Sequence, residues 1–193
     1  MKNYKKELSR INKKAGHRFS WRLFWENFIL KEGNTFYKMP SFVWKHLFYK
    51  NIDSYEKAKE NLEIIQKYFW KVLKIADTEI IQNTDGHYII KQKEVSGKKL
   101  TKEMLELNPI LYSKFKKLIL INEIIWEKEH FFLDILGTDF AIDPFTIHNI
   151  IADQSDIYLF DFWLLEKSSK SYIFNSVSKL SRWFQLKVVK YFF

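Results

Sequence analysis

The chain has no cysteine. Disulfides, thiolate metal sites and cysteine nucleophiles are therefore excluded, and a reducing compartment fits. Glycine and proline are scarce as well, at 5 and 3 of 193 residues. No Gly/Pro/Ser-rich linker divides the sequence, and no internal repeat is present. The five histidines (17, 46, 87, 130 and 148) lack the spacing of a ligand pair, which argues against zinc. No window reaches the roughly 18 apolar residues needed to cross a bilayer, and the basic stretch MKNYKKELSRINKKAG lacks the apolar core of a signal peptide. A cytoplasmic protein is expected, whose basic ends would allow it to approach a membrane periphery.

What is present is core material. With 47% hydrophobic and 18% aromatic residues, the chain can bury a real interior and is short enough to be one domain of two lobes. The formal charge of +9 is unevenly placed. Residues 1–22 hold eight Lys/Arg against Glu7, and residues 167–193 hold six with no acid. Basic ends around an acidic centre suggest an anionic partner such as nucleic acid, acidic lipid headgroups or a phosphorylated ligand, although a solvated surface would look the same.

Changes of hydrophobic period mark the elements. GNTFYKMP reads as a turn followed by a strand that carries Lys38. Residues 53–69 place Tyr55, Ala58, Leu62, Ile65 and Phe69 at helical spacing behind the cap-competent Asp53. Residues 78–83 and 87–95 read as strands around a turn, with SGKKL after them as a loop. Residues 101–133 read as mainly helical, broken at Asn108-Pro109. The runs 149–152 and 157–160 flank DQSD, a cluster of turn formers, and predict a β-hairpin. Residues 172–191 predict a last helix with Val177, Leu180, Phe184, Val188 and Tyr191 on one face, packed on the long helix as a core element. The aromatic cluster 42–49 reads as core, and His148 as structural.

The hairpin raises a chemical question, because its apolar second strand ends on a carboxylate. Asn149 and Asp161 would stand together at its open end, and two oxygen donors on a rigid scaffold suit a hard cation such as Mg²⁺. The stretch NIIADQSDIYLFDF resembles the kinase segment Asn-Ile-Leu-Val-Asp-x-x-Gly-x-Ile-x-Leu-Ile-Asp-Phe, and the order of elements over residues 15–165 resembles the protein-kinase-like superfamily. The likeness is nearest to divergent small bacterial kinases such as lipopolysaccharide kinases.

The resemblance implies an α+β, bilobal fold, with a small sheet-plus-helix lobe at about 15–95 and a reduced, mostly helical lobe at 96–193. It implies Mg²⁺ ligation by Asn149 and Asp161, and contact of Lys38 with the ATP phosphates. Glu60 or Glu63 would be the ion-pair partner of Lys38. Backbone groups of about Gln92 to Val95 would hydrogen-bond adenine, and Asp143 would be the base. The sequence departs from the family pattern in four ways. Pro144 stands where the catalytic Asp is usual, one residue after Asp143. Gly16 alone replaces the glycine-rich loop, Trp163 follows Asp-Phe, and only 32 residues follow Asp161.

The expected function is transfer of the γ-phosphoryl of ATP to a hydroxyl on a small molecule, sugar or protein. The other readings are a pseudokinase or nucleotide-binding module without turnover, and a basic RNA- or membrane-surface-binding domain.

Overall fold

Asn27–Glu32 (β1) and Thr35–Pro40 (β2) form an antiparallel hairpin around Gly33, whose φ of +54° is a left-handed conformation that glycine adopts without a Cβ clash. These strands belong to a computed structural model that describes residues 6, 9, 27–40, 55–82, 88–136, 146–161, 164–166, 182–187 and 189. Asp143 and the aromatic cluster 42–49 lie outside the described residues, as do residues 172–181 of the expected last helix.

The chain divides into two units, Met1–Glu60 with Ala76–Glu94, and Asn61–Ile75 with Val95–Phe193. It crosses from one to the other three times, where the sequence suggested a single boundary near residue 95. In the first unit, β1 and β2 join Thr78–Gln82 (β4) and Tyr88–Lys93 (β5) in an antiparallel sheet of order β1-β2-β5-β4. Alternation sends Leu30, Tyr37, Ile81 and Ile89 to one face, where they pack together. Lys38, Ile90 and Gln92 go to the other face, because Lys38 pairs with Ile90, and Phe36 with Gln92.

Helix α1 (Tyr55–Phe69) has the expected periodicity. Ala58, Ile65 and Phe69 are buried, with Asn61 beside them. After it comes Lys74–Ile75 (β3), which pairs parallel with a strand more than eighty residues later.

The second unit contains Lys98–Thr101 (β6), Lys102–Leu107 (α2), Pro109–Glu129 (α3), Phe131–Leu133 (β7), Thr146–Ala152 (β8), Ile157–Leu159 (β9) and Leu164–Glu166 (β10). One sheet has the order β3-β9-β8-β6, and β7 pairs with β10. SGKKL is therefore not a plain loop: β6 forms because β8 offers it an edge, and Gly97 lies so close to β8 that an added Cβ would sit 2.6 Å from the Ala152 carbonyl oxygen. The break at Asn108-Pro109 is a helix start. The Asn108 side chain accepts from the amides of Ile110 and Leu111, and Pro109 needs no partner at the first helical position. The long helix ends earlier than expected. His130 turns left-handed at φ 65°, and the apolar run FFL continues as strand. Hydrophobicity alone does not separate a buried strand from a buried helix.

Residues 182–187 are helical and pack on α3. The side facing α3 is not the one expected, since Phe184 is 47% exposed while Gln185 is buried. Arg182 is drawn inward by two carboxylates and an aromatic face. Its guanidinium lies 2.9 Å from Glu123, 3.6 Å from Glu127 and 5.0 Å from the centroid of Trp126. Leu186 packs against Trp126 and Phe132, whose rings meet edge to face. For residues 182–187 the expected packing on the long helix is seen, with the contact face rotated to Arg182, Gln185 and Leu186.

Candidate functional site

The sequence-predicted residues fall into two groups, one in each unit. In the first, Lys38 sits on β2, an interior strand with β1 and β5 on either side. Its side chain is 2% exposed and is not left without a partner. A solvated edge lysine is thereby excluded, since an ammonium this deep persists only when its charge is compensated. Glu60 is exposed and ion-paired to Lys57 at 2.9 Å, one helical turn away. Gln92 lies on the same sheet face as Lys38 and is 1% exposed. Its Nε2 donates to Thr78 Oγ1 at 3.3 Å, and its Oε1 is buried without a partner. Little backbone remains here for a ligand. The Lys93 and Glu94 amides donate to the Asp77 and Asn34 carbonyls at 2.9 and 2.8 Å, and Gln92 is paired on both sides within the sheet.

In the second unit, Glu63 is exposed on α1 and Val95 is half-buried at the start of the stretch leading to β6. The β8–β9 hairpin brings Asn149 and the residues after β9 together as its register requires. Ile150 pairs with Leu159, and the Phe160 amide donates to the Asn149 carbonyl at 2.9 Å, so Asp161 leaves the hairpin one residue beyond Asn149's partner. Asp161 is half-buried, and no side chain among the described residues pairs with its carboxylate.

The structure adds a residue that sequence reasoning did not single out. Asn149 Nδ2 donates to the main-chain carbonyl of Asp134 at 2.9 Å. Two further side-chain amides hold the same segment. Asn122, fully buried on α3, donates to the Leu133 carbonyl at 2.9 Å and accepts from the Leu133 amide at 2.7 Å. Gln185 accepts from the Ile135 amide at 3.3 Å and donates from Nε2 to Asp134 Oδ1 at 2.7 Å. Asn149 and Gln185 thus hold Asp134 itself, by its main chain and its carboxylate, while Asn122 and Gln185 hold the flanking Leu133 and Ile135. The sequence held one clue. FFLD at 131–134 ends an apolar strand on a carboxylate just as YLFD does at 158–161.

At the other end of the hairpin, DQSD forms a closed cluster. Asp153 accepts from the amides of Ser155 and Asp156 and from the Tyr158 hydroxyl, which hold its carboxyl below the usual range. Asp156 accepts from Lys114 and Lys74, each at 2.6 Å, and these two ammonium groups hold its carboxyl down at about 2. His148 Nδ1 lies 2.9 Å from Lys99 Nζ, in keeping with a structural histidine.

Among the described residues, no three His, Asp or Glu side chains cluster as a metal site, so any cation here would rest on the mixed amide and carboxylate pair of Asn149 and Asp161. No helix of the described residues is long and apolar enough to cross a membrane. Compared with protein-family models, with curated proteins and with solved structures, the chain matches none.

Proposed function

We propose that the protein is a kinase-like phosphotransferase that uses ATP and Mg²⁺ to phosphorylate a hydroxyl acceptor. The observation that carries this reading is the open end of the β8–β9 hairpin, where the Asn149 amide is fastened to the Asp134 main chain and the Asp161 carboxylate follows directly. The pair fits a magnesium ion. With Nδ2 held by the Asp134 carbonyl, Asn149 has its Oδ1 left as a hard donor, and Asp161 supplies an anionic oxygen. When bound, the ion would neutralise phosphate charge.

The chain's own residues then position and stabilise, which is most of what phosphoryl transfer asks of a protein. Lys38, buried on an interior strand after a tight turn and ahead of α1, would hold phosphate oxygens. Glu60 and Glu63 both stay open as candidate partners for Lys38, Glu60 being also ion-paired to Lys57. For adenine, the commitment of the Lys93 and Glu94 amides favours Val95 over the rest of the 92–95 stretch. Two carboxylates compete to accept the hydroxyl proton. Asp143 follows from the family resemblance, and Asp134 is the one tied to Asn149.

The scarcity of free backbone donors between Gln92 and Glu94 counts against adenine recognition there, and so favours the reading of a basic surface-binding domain over either nucleotide-binding reading.

Thermal melting with Mg-ATP tests the proposal. At 100 times its dissociation constant, a ligand of the native state adds about 2.7 kcal/mol. The parent should gain on this scale, and less when EDTA removes the metal. No gain for the parent overturns the reading. If binding is present, transfer from radiolabelled ATP in Asp134→Asn and Asp143→Asn distinguishes the two bases and separates an enzyme from a binding module.

A further inference from the structure

The outer side of the tail-on-α3 pair has a composition that neither the core nor the proposed phosphotransfer uses. Packing turns Arg182, Gln185 and Leu186 inward, which leaves Trp183 at 55% and Phe184 at 47% exposure. On α3, Leu120 and Ile124 are 61% and 44% exposed. The Arg182 guanidinium sits on Glu123 and Glu127, which share the α3 stripe with Leu120 and Ile124 at helical spacings of three and four. The four apolar side chains therefore lie within about one helical turn of a common clasp.

The clasp sets one guanidinium against the two acids of the stripe, and Glu127 keeps an exposed side chain. Lys117 on α3 and Lys187 on the tail remain exposed, with the Lys187 ammonium 6.0 Å from the Trp183 ring centroid. Residues 167–193 contain no acid at all.

We infer that this face docks on an anionic lipid bilayer, lying in the headgroup region without spanning it. Exposed apolar side chains with a lysine on each of the two helices match both layers of that interface: Leu120, Ile124 and Phe184 enter the acyl boundary, Trp183 sits at headgroup depth, and Lys117 and Lys187 meet lipid phosphates. Single-stranded nucleic acid fits less well, because aliphatic Leu120 and Ile124 offer no stacking platform. A second copy fits less well too, since it would oppose like-charged rims. The inference does not depend on nucleotide binding.

Co-sedimentation of the full chain with phosphatidylcholine vesicles, with and without phosphatidylglycerol, tests it. The protein should pellet with the anionic vesicles, stay in solution with the neutral ones, and be released by salt. Trp183→Ser/Phe184→Ser should lower partitioning roughly tenfold or more without shifting the melting temperature. Leu120→Ser/Ile124→Ser should do the same from the helix side, so the test survives if one pair misfolds. Lys117→Glu/Lys187→Glu should abolish the preference for phosphatidylglycerol. Equal pelleting of parent and both apolar variants overturns the inference. So does failure of the parent to bind either vesicle, displacement of bound protein by single-stranded RNA, or a parent dimer in sedimentation velocity that Trp183→Ser/Phe184→Ser disperses.

Discussion

The two ends of the β8–β9 hairpin carry the same residue type for opposite ends. At the turn, the carboxylate oxygens of Asp153 and Asp156 are consumed by backbone amides, a tyrosine hydroxyl and two lysines. At the open end, Asp161 has no such partner among the described residues, and Asn149 spends its donor on the Asp134 main chain while its acceptor faces outward from that bond. A carboxylate saturated by its own fold is a fastener. One left unsaturated beside a fixed amide is a candidate ligand. Distance in sequence does not distinguish the two, since Asp156 and Asp161 are neighbours.

The comparison is broken most severely at the open end. Asp161→Asn should abolish the metal-dependent part of ATP stabilisation, which is a share of the about 2.7 kcal/mol expected at 100 times the dissociation constant, with little change in the stability of the free protein. Asp156→Asn should do the reverse, leaving nucleotide stabilisation intact. Melting both variants with and without Mg-ATP checks this, and equal responses to nucleotide would erase the distinction.

Next in size comes the support behind the open end. Asn122→Ala strands both polar groups of Leu133 in the core and should cost about 2–3 kcal/mol in urea unfolding at neutral pH. A cost below about 0.5 kcal/mol would mean that β7 is held by something else.

The turn end gives a smaller effect, and its sign follows from the direction of the shift. The folded Asp156 carboxyl titrates at about 2, below the value near 3.9 of an unfolded aspartate. Its contribution is therefore fully present above pH 4 and is lost as the pH falls from about 4 toward 2. Because the side chain is partly solvated, the loss should be on the order of 1 kcal/mol. Urea midpoints measured down this range should fall less steeply for Asp156→Asn than for the parent. Lys74→Met, which removes the more exposed of the two lysine partners, should lower the urea midpoint less still.

The pair Asn149 and Asp161 was legible because a hairpin is local: DQSD announces the turn, and the register follows by counting. The α1 core face was legible for the same reason. Asp134 was not, because its place depends on Asn149 fifteen residues later and on Gln185 fifty-one residues later, contacts that no window reports. Strand β6 was hidden by its lysines, which read as loop until β8 supplies the ladder. The tail's inner face was misread because the periodicity of large apolar residues ranked Phe184 above Arg182. An aromatic ring and two glutamates on α3 reversed that order.

Strand β3 has a consequence in time. Lys74 and Ile75 pair with Tyr158 and Leu159, and the Lys74 ammonium reaches Asp156 across 82 residues of chain. On a ribosome adding about 5–20 residues per second, this segment emerges on the order of ten seconds before its partner exists. The first unit's sheet, begun by β1 and β2 before β3, receives β4 and β5 within that wait. Neither the β3 ladder nor the Lys74–Asp156 ion pair can form until β9 and its turn are made.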